Sequence, residues 1–240
     1  MGLVDLHCHL LPGVDDGARS LEDAVQMAKS LVDLGFSHAA PSPHNRPQYK
    51  DRAAAEVALA QLRAVLGEQG VPLALDVNAE NDLMDERFVP TLRTPEARLL
   101  GAGAYVLVEA PYTSPVPALR EILFRVKVKG ITPLIAHPER CLEFQRKGRA
   151  KEAVEAGALL QLDIGALTGR YGPEAKKAAR SLLDDGLYAI GATDVHSPVG
   201  AREWIAEALA ELRRRAGDAA FDRMMSERPA RILRGEPVES

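Results

Sequence analysis

Short apolar runs alternate with amphipathic stretches from one end of this chain to the other. Runs at 3–7, 36–40, 73–77, 104–108, 132–136, 159–163 and 187–192 predict strands. Several of them, such as YVLVEA and LYAIG, are continuous rather than alternating, as in strands buried on both faces of a parallel sheet. The segments between them read as helices. Ser20 and Asp23 form an N-terminal cap ahead of a stripe of Ala24, Met27, Ala28 and Leu31, and Gly35 closes that helix. Further helices are expected at 52–66, 117–128, 151–156, 173–185 and 201–216, with one or two short ones within 219–233. Seven strands, each followed by a helix or a long loop, predict an α/β chain folded as a closed or nearly closed (β/α) barrel. No linker or low-complexity tract divides it, so 1–240 is expected to be one domain. The alternative, an open doubly wound sheet, lacks both of its usual signatures, G-x-G-x-x-G after the first strand and a phosphate-binding G-x-x-x-x-G-K-[ST].

Composition narrows the function classes. Hydrophobic residues make up 46% and charged residues 27%, which excludes disordered and fibrous classes. With 30 basic and 34 acidic residues the net charge is −4, a poor match to a polyanion, so no nucleic-acid partner is expected. The opening MGLVDLHCHL has an acid and two imidazoles where a secretory signal would be basic and then apolar. No apolar run is long enough to span a bilayer, so neither membrane insertion nor export is expected, and the location is expected to be cytoplasmic. Position 6 is Leu where a myristoylation signal needs Ser or Thr. The two cysteines, Cys8 and Cys141, imply no disulfide framework.

The histidines carry the chemistry. His7 and His9 end the first predicted strand, His44 follows the second, His137 ends the fifth, and His196 follows the seventh. Asp16, Glu80, Glu109 and Asp194 hold matching positions after strands one, three, four and seven. In a (β/α) fold the C-terminal strand ends build the site, so these nine side chains converge on one rim. His7-Cys8-His9 on a strand directs both imidazoles one way and Cys8 the other, and Asp194-Val195-His196 repeats the spacing. His38 falls inside a strand and reads as structural. Imidazoles and carboxylates without thiolates select Zn, Mn or Fe, and this number of donors serves two or three divalent ions. Clustered ions at a barrel mouth suit hydrolysis of phosphate esters. A cysteine phosphatase would need Cys-x5-Arg, but Val14 and Lys147 occupy the positions where that arginine would stand. Arg213, Arg214 and Arg215 read as a solvated helix face, and Asp15 as an orienting or capping residue beside Asp16. Tyr49 and Tyr112 fall in rim loops, as loop packing or as walls of a substrate groove.

DLHCHLLPGVDDGARSLEDA, PSPH, NAEND, IAHPER and the late TDVH together resemble the polymerase-and-histidinol-phosphatase (PHP) superfamily. Within it, the chain is similar to the bacterial manganese-dependent protein-tyrosine phosphatases of capsule and exopolysaccharide operons, over residues 3 to about 233. The resemblance implies a distorted (β/α)7 barrel with a trinuclear site, with manganese the favoured metal. It implies one ion on His7, His9, Glu80 and Asp194, a second on Glu80, Glu109 and His137, and a third on Asp16, His44 and His196. Arginines near the phosphate map to Arg140 in HPER and to Arg202 after the last histidine. The implied substrate is a phosphotyrosine protein such as the tail of a bacterial tyrosine kinase. A small-molecule phosphatase such as histidinol-phosphate phosphatase is the alternative on the same fold. A non-catalytic metal-stabilised module would show missing ligands or a fused partner domain. The chain departs from the family pattern at Asn45, where a second histidine or a basic residue often follows His44, and at Ala79 in place of a residue within G-x-E.

Overall fold

The computed structural model describes residues 2–239. Its strands are β1 (Leu3–Cys8), β2 (Phe36–Pro41), β3 (His44–Asn45), β4 (Ala74–Leu75), β5 (Glu80–Asp82), β6 (Tyr105–Glu109), β7 (Thr132–Ala136), β8 (Leu159–Asp163) and β9 (Ile190–Ala192), and every ladder between them is parallel. They form two sheets, ordered β1-β2-β4 and β3-β5-β6-β7-β8-β9. The extra strands arise because the second and third expected strands are each broken in two. Pro41 and Pro43 interrupt the first of these, since a prolyl nitrogen cannot donate to a ladder. Its upper half, β3, then pairs with β5 instead of β4's partner sheet, with His44 opposite Glu80 and Asp82 opposite Glu109.

The ring closes between its first and last strands. The Asp194 amide donates to the His7 carbonyl at 2.8 Å, and the His9 amide donates to the Val195 carbonyl at 2.9 Å. Lower down, the buried Asp5 carboxylate accepts from the Thr193 amide at 3.1 Å and from its hydroxyl at 2.5 Å. Seven strand positions therefore run around a barrel, distorted where β1 and β9 meet only near their C-terminal ends.

The principal helices follow the strands as expected: Leu21–Asp33, Arg52–Glu68, Leu119–Val128, Arg149–Glu155, Gly172–Asp184 and Ala201–Ala216. Ser20 caps the first by accepting from the Asp23 amide at 3.1 Å, and Asp51 caps the second. Short helices at Phe88–Thr91, Leu142–Gln145 and Ile164–Thr168 carry no periodicity long enough to read from sequence. None of the helices among the described residues is long and apolar enough to cross a membrane.

Strand alternation sorts the core and delivers the site. In β6, Val106 and Val108 join the large cluster that receives the helix faces of Met27, Leu31, Leu62, Leu123 and Ile205. Tyr105 and Leu107 join a second, smaller cluster with Leu134, Leu159 and Ile190. Glu109 shares the face of Tyr105 and Leu107, and Gln161 and Asp163 share the face of Leu159, so these polar groups continue the inner faces at the C-terminal ends. Replacing Asp5 with Ala strands the Thr193 amide and hydroxyl at the closure. It is expected to cost about 1–3 kcal/mol, read as a lower midpoint in urea unfolding with an unchanged slope.

Candidate metal centre

The structure brings all nine rim residues into one cluster. Donor atoms fall in four overlapping groups, His7–His9–Asp194, His7–Glu80–His137, His44–Glu80–Glu109 and His9–Asp16–His44–His196, each with its atoms within 4.8 Å of one another. His7, His9, Glu80, Glu109, His137 and Asp194 are buried, His44 nearly so, while Asp16 and His196 open toward solvent. His38 lies apart on the surface, its Nδ1 against the Ser37 hydroxyl at 2.9 Å.

The tightest part is a triangle. His7 Nε2 lies 3.3 Å from His9 Nε2, and Asp194 Oδ1 lies 3.2 Å from the first and 3.3 Å from the second. Glu80 Oε1 lies 3.4 Å from His7 Nε2 and 3.1 Å from His137 Nε2, with Glu109 Oε1 3.7 Å from the same His137 nitrogen. Asp16 Oδ1 lies 3.4 Å from His44 Nε2 and 3.6 Å from His196 Nε2. Two donors bound at about 2.1 Å to one tetrahedral ion stand about 3.4 Å apart, so these separations fit ligands around shared cations. Asp194 Oδ1, Glu80 Oε2 and His137 Nδ1 are buried and make no hydrogen bond. Buried polar atoms are normally satisfied, so donors left open in this pattern fit a metal centre.

Electrostatics point the same way. Burial opposes a charge on His7, yet the Asp194 and Glu80 carboxylates overcome it and push His7 up to about 10. Burial likewise opposes charge on His9 and His44, but Asp15 with Asp194, and Asp16 with Glu80, raise them to about 9 and about 10. Burial would raise Glu80 and Asp194, but the surrounding imidazoles hold both well below the usual carboxylate range. The cluster thus demands positive charge, which protons or cations can supply.

A second layer orients the first. His9 Nδ1 meets Asp15 Oδ2 at 2.7 Å, and Asp15 also accepts from the amides of Gly17 and His44. His7 Nδ1 meets Gln161 Oε1 at 2.9 Å, and His196 Nδ1 meets the Asp194 carbonyl at 2.8 Å. Each leaves Nε2 pointing into the cluster, the usual arrangement of a metal-binding imidazole. Gly17 seats this loop directly on His9: a Cβ there would stand 2.2 Å from the His9 carbonyl oxygen. His137 and Asp194 adopt left-handed backbone, with φ of 30° and 52°, which turns their side chains inward at the strand ends.

Arg140 reaches the cluster: Nη1 donates to Asp194 Oδ2 at 2.5 Å and to Asp163 Oδ2 at 3.3 Å, and its guanidinium lies over the rings of Tyr112 and Tyr171 at 4.8 and 4.1 Å. Arg202 does not. Its side chain is 62% exposed and faces Asp33 at 3.7 Å, because it lies on the outer surface of the helix Ala201–Ala216. Tyr49 stacks on His44 at 5.2 Å, and Tyr112 lies 5.7 Å from His137. Cys8 joins the large apolar cluster and Cys141 donates to the Ala110 carbonyl, and burial pushes both thiols well above their usual range. Arg213, Arg214 and Arg215 pair with Asp218 and Glu211 along their helix.

Sequence reasoning passed over Gln161, Asp163, Tyr171 and Arg46. Arg46 pairs with Glu109 and approaches Asp82 at 3.7 Å. Its signal was its place two residues after His44, at the rim; Gln161 was legible as the one polar side chain interrupting LLQLD on the inner face.

A parallel barrel with an imidazole–carboxylate cluster at its C-terminal rim defines a metal-dependent hydrolase architecture. A D-hydantoinase structure shares the fold, with a TM-score of 0.55 at 11% identity over 100% of this chain and 73% of that one. The chain belongs to the capsular polysaccharide synthesis CpsB/CapC family, whose profile matches residues 3–234. It is 29% identical over 239 residues to the tyrosine-protein phosphatase YwqE of Bacillus subtilis, covering 98% of this chain and 93% of that protein. It is 23% identical over 247 residues to the tyrosine-protein phosphatase CpsB of Streptococcus pneumoniae, covering 96% and 98%. A crystal structure from work on YwqE and CpsB, described as unique metal-dependent tyrosine phosphatases, matches with a TM-score of 0.86 at 28% identity, covering 98% of this chain and 96% of that one.

Asp15→Ala removes the group that aims His9 without removing a donor. Metal affinity, followed by competition with a chromophoric chelator, is expected to fall about 10- to 100-fold while the circular dichroism spectrum is retained.

Proposed function

We propose that this protein is a metal-dependent phosphotyrosine-protein phosphatase, and the observation that carries the reading is the nine-donor rim cluster with the Arg140 guanidinium bound to one of its carboxylates. In this reading one ion is held by His7, His9, Glu80 and Asp194, a second by Glu80, Glu109 and His137, and a third by Asp16, His44 and His196. Two or three divalent ions, with manganese favoured by the family resemblance, serve such a donor set. Bound divalent ions lower the pKa of water and neutralise phosphoryl oxygens.

The chain's own residues do the rest. Arg140 presents a planar fork to the phosphoryl group, and its cation–π contacts with Tyr112 and Tyr171 keep that fork from swinging away. The half-exposed Tyr112 offers an aromatic wall beside the cluster for the ring of the substrate tyrosine. Neither thiol is placed or ionised for attack, so no covalent phosphocysteine forms. The named activities of the relatives support a protein substrate, and we place the enzyme in the cytoplasm, acting on the phosphorylated tail of a tyrosine kinase. Small phosphate esters such as histidinol phosphate are the competing substrates.

The deciding assay compares a phosphotyrosine peptide with histidinol phosphate, each with Mn²⁺ and with chelator. The peptide should be the better substrate by kcat/KM, chelator should abolish turnover, and a Cys8→Ala/Cys141→Ala double variant should stay within about tenfold of wild type. Preference for histidinol phosphate, or chelator-resistant turnover, overturns the reading.

Arg140→Ala should lower kcat/KM by about 10²–10³, the scale of one lost transition-state donor, measured at Mn²⁺ concentrations that saturate the variant. Arg140→Lys should restore little, because a point charge cannot reproduce the fork or stack on both rings.

A further inference from the structure

The cluster has a second guanidinium at its other end. Reading across the rim, Arg140 holds Asp194, Asp194 faces His7, His7 faces Glu80, Glu80 faces His137, His137 faces Glu109, and Glu109 holds Arg46. Tyr112 joins the two ends: its ring lies under Arg140 and its hydroxyl bonds to Glu109. Arg46 is only partly engaged. One terminal nitrogen meets Glu109, Asp82 lies 3.7 Å from Nε, and Nε is buried without a hydrogen-bond partner. Its side chain keeps 27% of its surface open on the loop that also carries His44 and Tyr49.

We propose that Arg46, and not Arg202, is the second arginine that binds the phosphoryl group of the substrate, gripping it from the Glu109 end while Arg140 grips it from the Asp194 end. This rests on the phosphatase reading above. A phosphomonoester dianion seated over the row of donors presents oxygens to both ends, and two forked cations held apart by the ligands themselves meet it without moving the backbone. The ion pairs that hold each arginine also lower the cost of keeping a cation at the rim when no anion is bound. Arg202 cannot serve from its place beside Asp33 on the outer helix surface. The departure at Asn45 has the same explanation: the cation expected directly after His44 stands one residue later.

The test uses full-length protein loaded with Mn²⁺, with metal content measured on every variant. Inorganic phosphate, the product, is titrated calorimetrically, and kcat and KM are measured on a phosphotyrosine peptide. Arg46→Ala should weaken phosphate binding about tenfold and lower kcat/KM about 10²-fold at full metal occupancy, with Arg46→Lys between them; Arg202→Ala should match wild type in both. Unchanged phosphate affinity in fully loaded Arg46→Ala overturns the proposal. So does a loss that excess Mn²⁺ restores, because Arg46 would then only hold Glu109 in place. Wild-type protein that binds phosphate without hydrolysing the peptide overturns the phosphatase reading and leaves the Arg46 comparison to be decided by binding. Wild-type protein that does neither overturns both.

Discussion

The constraint on which the rest of this structure depends is the burial of four carboxylates and five imidazoles in one place. Desolvating ionised groups is expensive, and it is tolerated only where opposite charge compensates it. The chain meets that demand partly from within. Arg46 and Arg140 neutralise the two outer carboxylates, and the imidazoles beside Glu80 and Asp194 are pulled toward the charged form against the effect of burial. The centre of the cluster, where His7, His9 and Asp194 face one another with no proton-sharing geometry that satisfies all three, is left to an added cation. Folding and metal binding are therefore coupled through the same atoms, and loading the site should stabilise the fold that creates it.

A barrel suits this task because it separates the work of stability from that of chemistry. The inner faces of β6 and β8 begin with Tyr105, Leu107 and Leu159 and end with Glu109, Gln161 and Asp163. The apolar beginnings anchor each strand, and the polar ends project from an already rigid frame. Where a regular strand end would aim a ligand wrongly, the backbone bends instead. His137 and Asp194 take left-handed conformations that non-glycine residues adopt at a cost of about 1–3 kcal/mol, offset by the packing around them.

The periodicity of the sequence was enough to locate the strands that build the rim, because long apolar runs between capped helices have few other readings. It also placed the nine donors, since each sits at the end of such a run. The broken second and third strands were less legible. Their upper halves, His44–Asn45 and Glu80–Asp82, are too short and too polar to register as strands, and only the parallel pairing with β6 holds them. Outer-layer partners such as Gln161 and Arg46 were hidden for a different reason: nothing local marks a polar side chain as facing a site until the topology closes. Arg202 shows the converse. Its distance from His196 along the chain suggested proximity, but the helix that begins at Ala201 carries it to the outside.

That dependence on closure is sharpest at the first strand. His7, Cys8 and His9 alternate across the β1 strand, so a slip of one residue would bury both imidazoles in the apolar cluster and deliver the thiol to the rim. The β1–β2 ladder alone is a poor guard, since its register shifts between Asp5 and Cys8. The register is held instead from the other side, by Asp5 on Thr193, by the His7 carbonyl on the Asp194 amide, and by the His9 amide on the Val195 carbonyl. The same segment, 193–196, supplies two of the cluster's donors. The contacts that close the barrel are thus the ones that decide which side of β1 faces the site, and closure and chemistry cannot be varied independently in this fold.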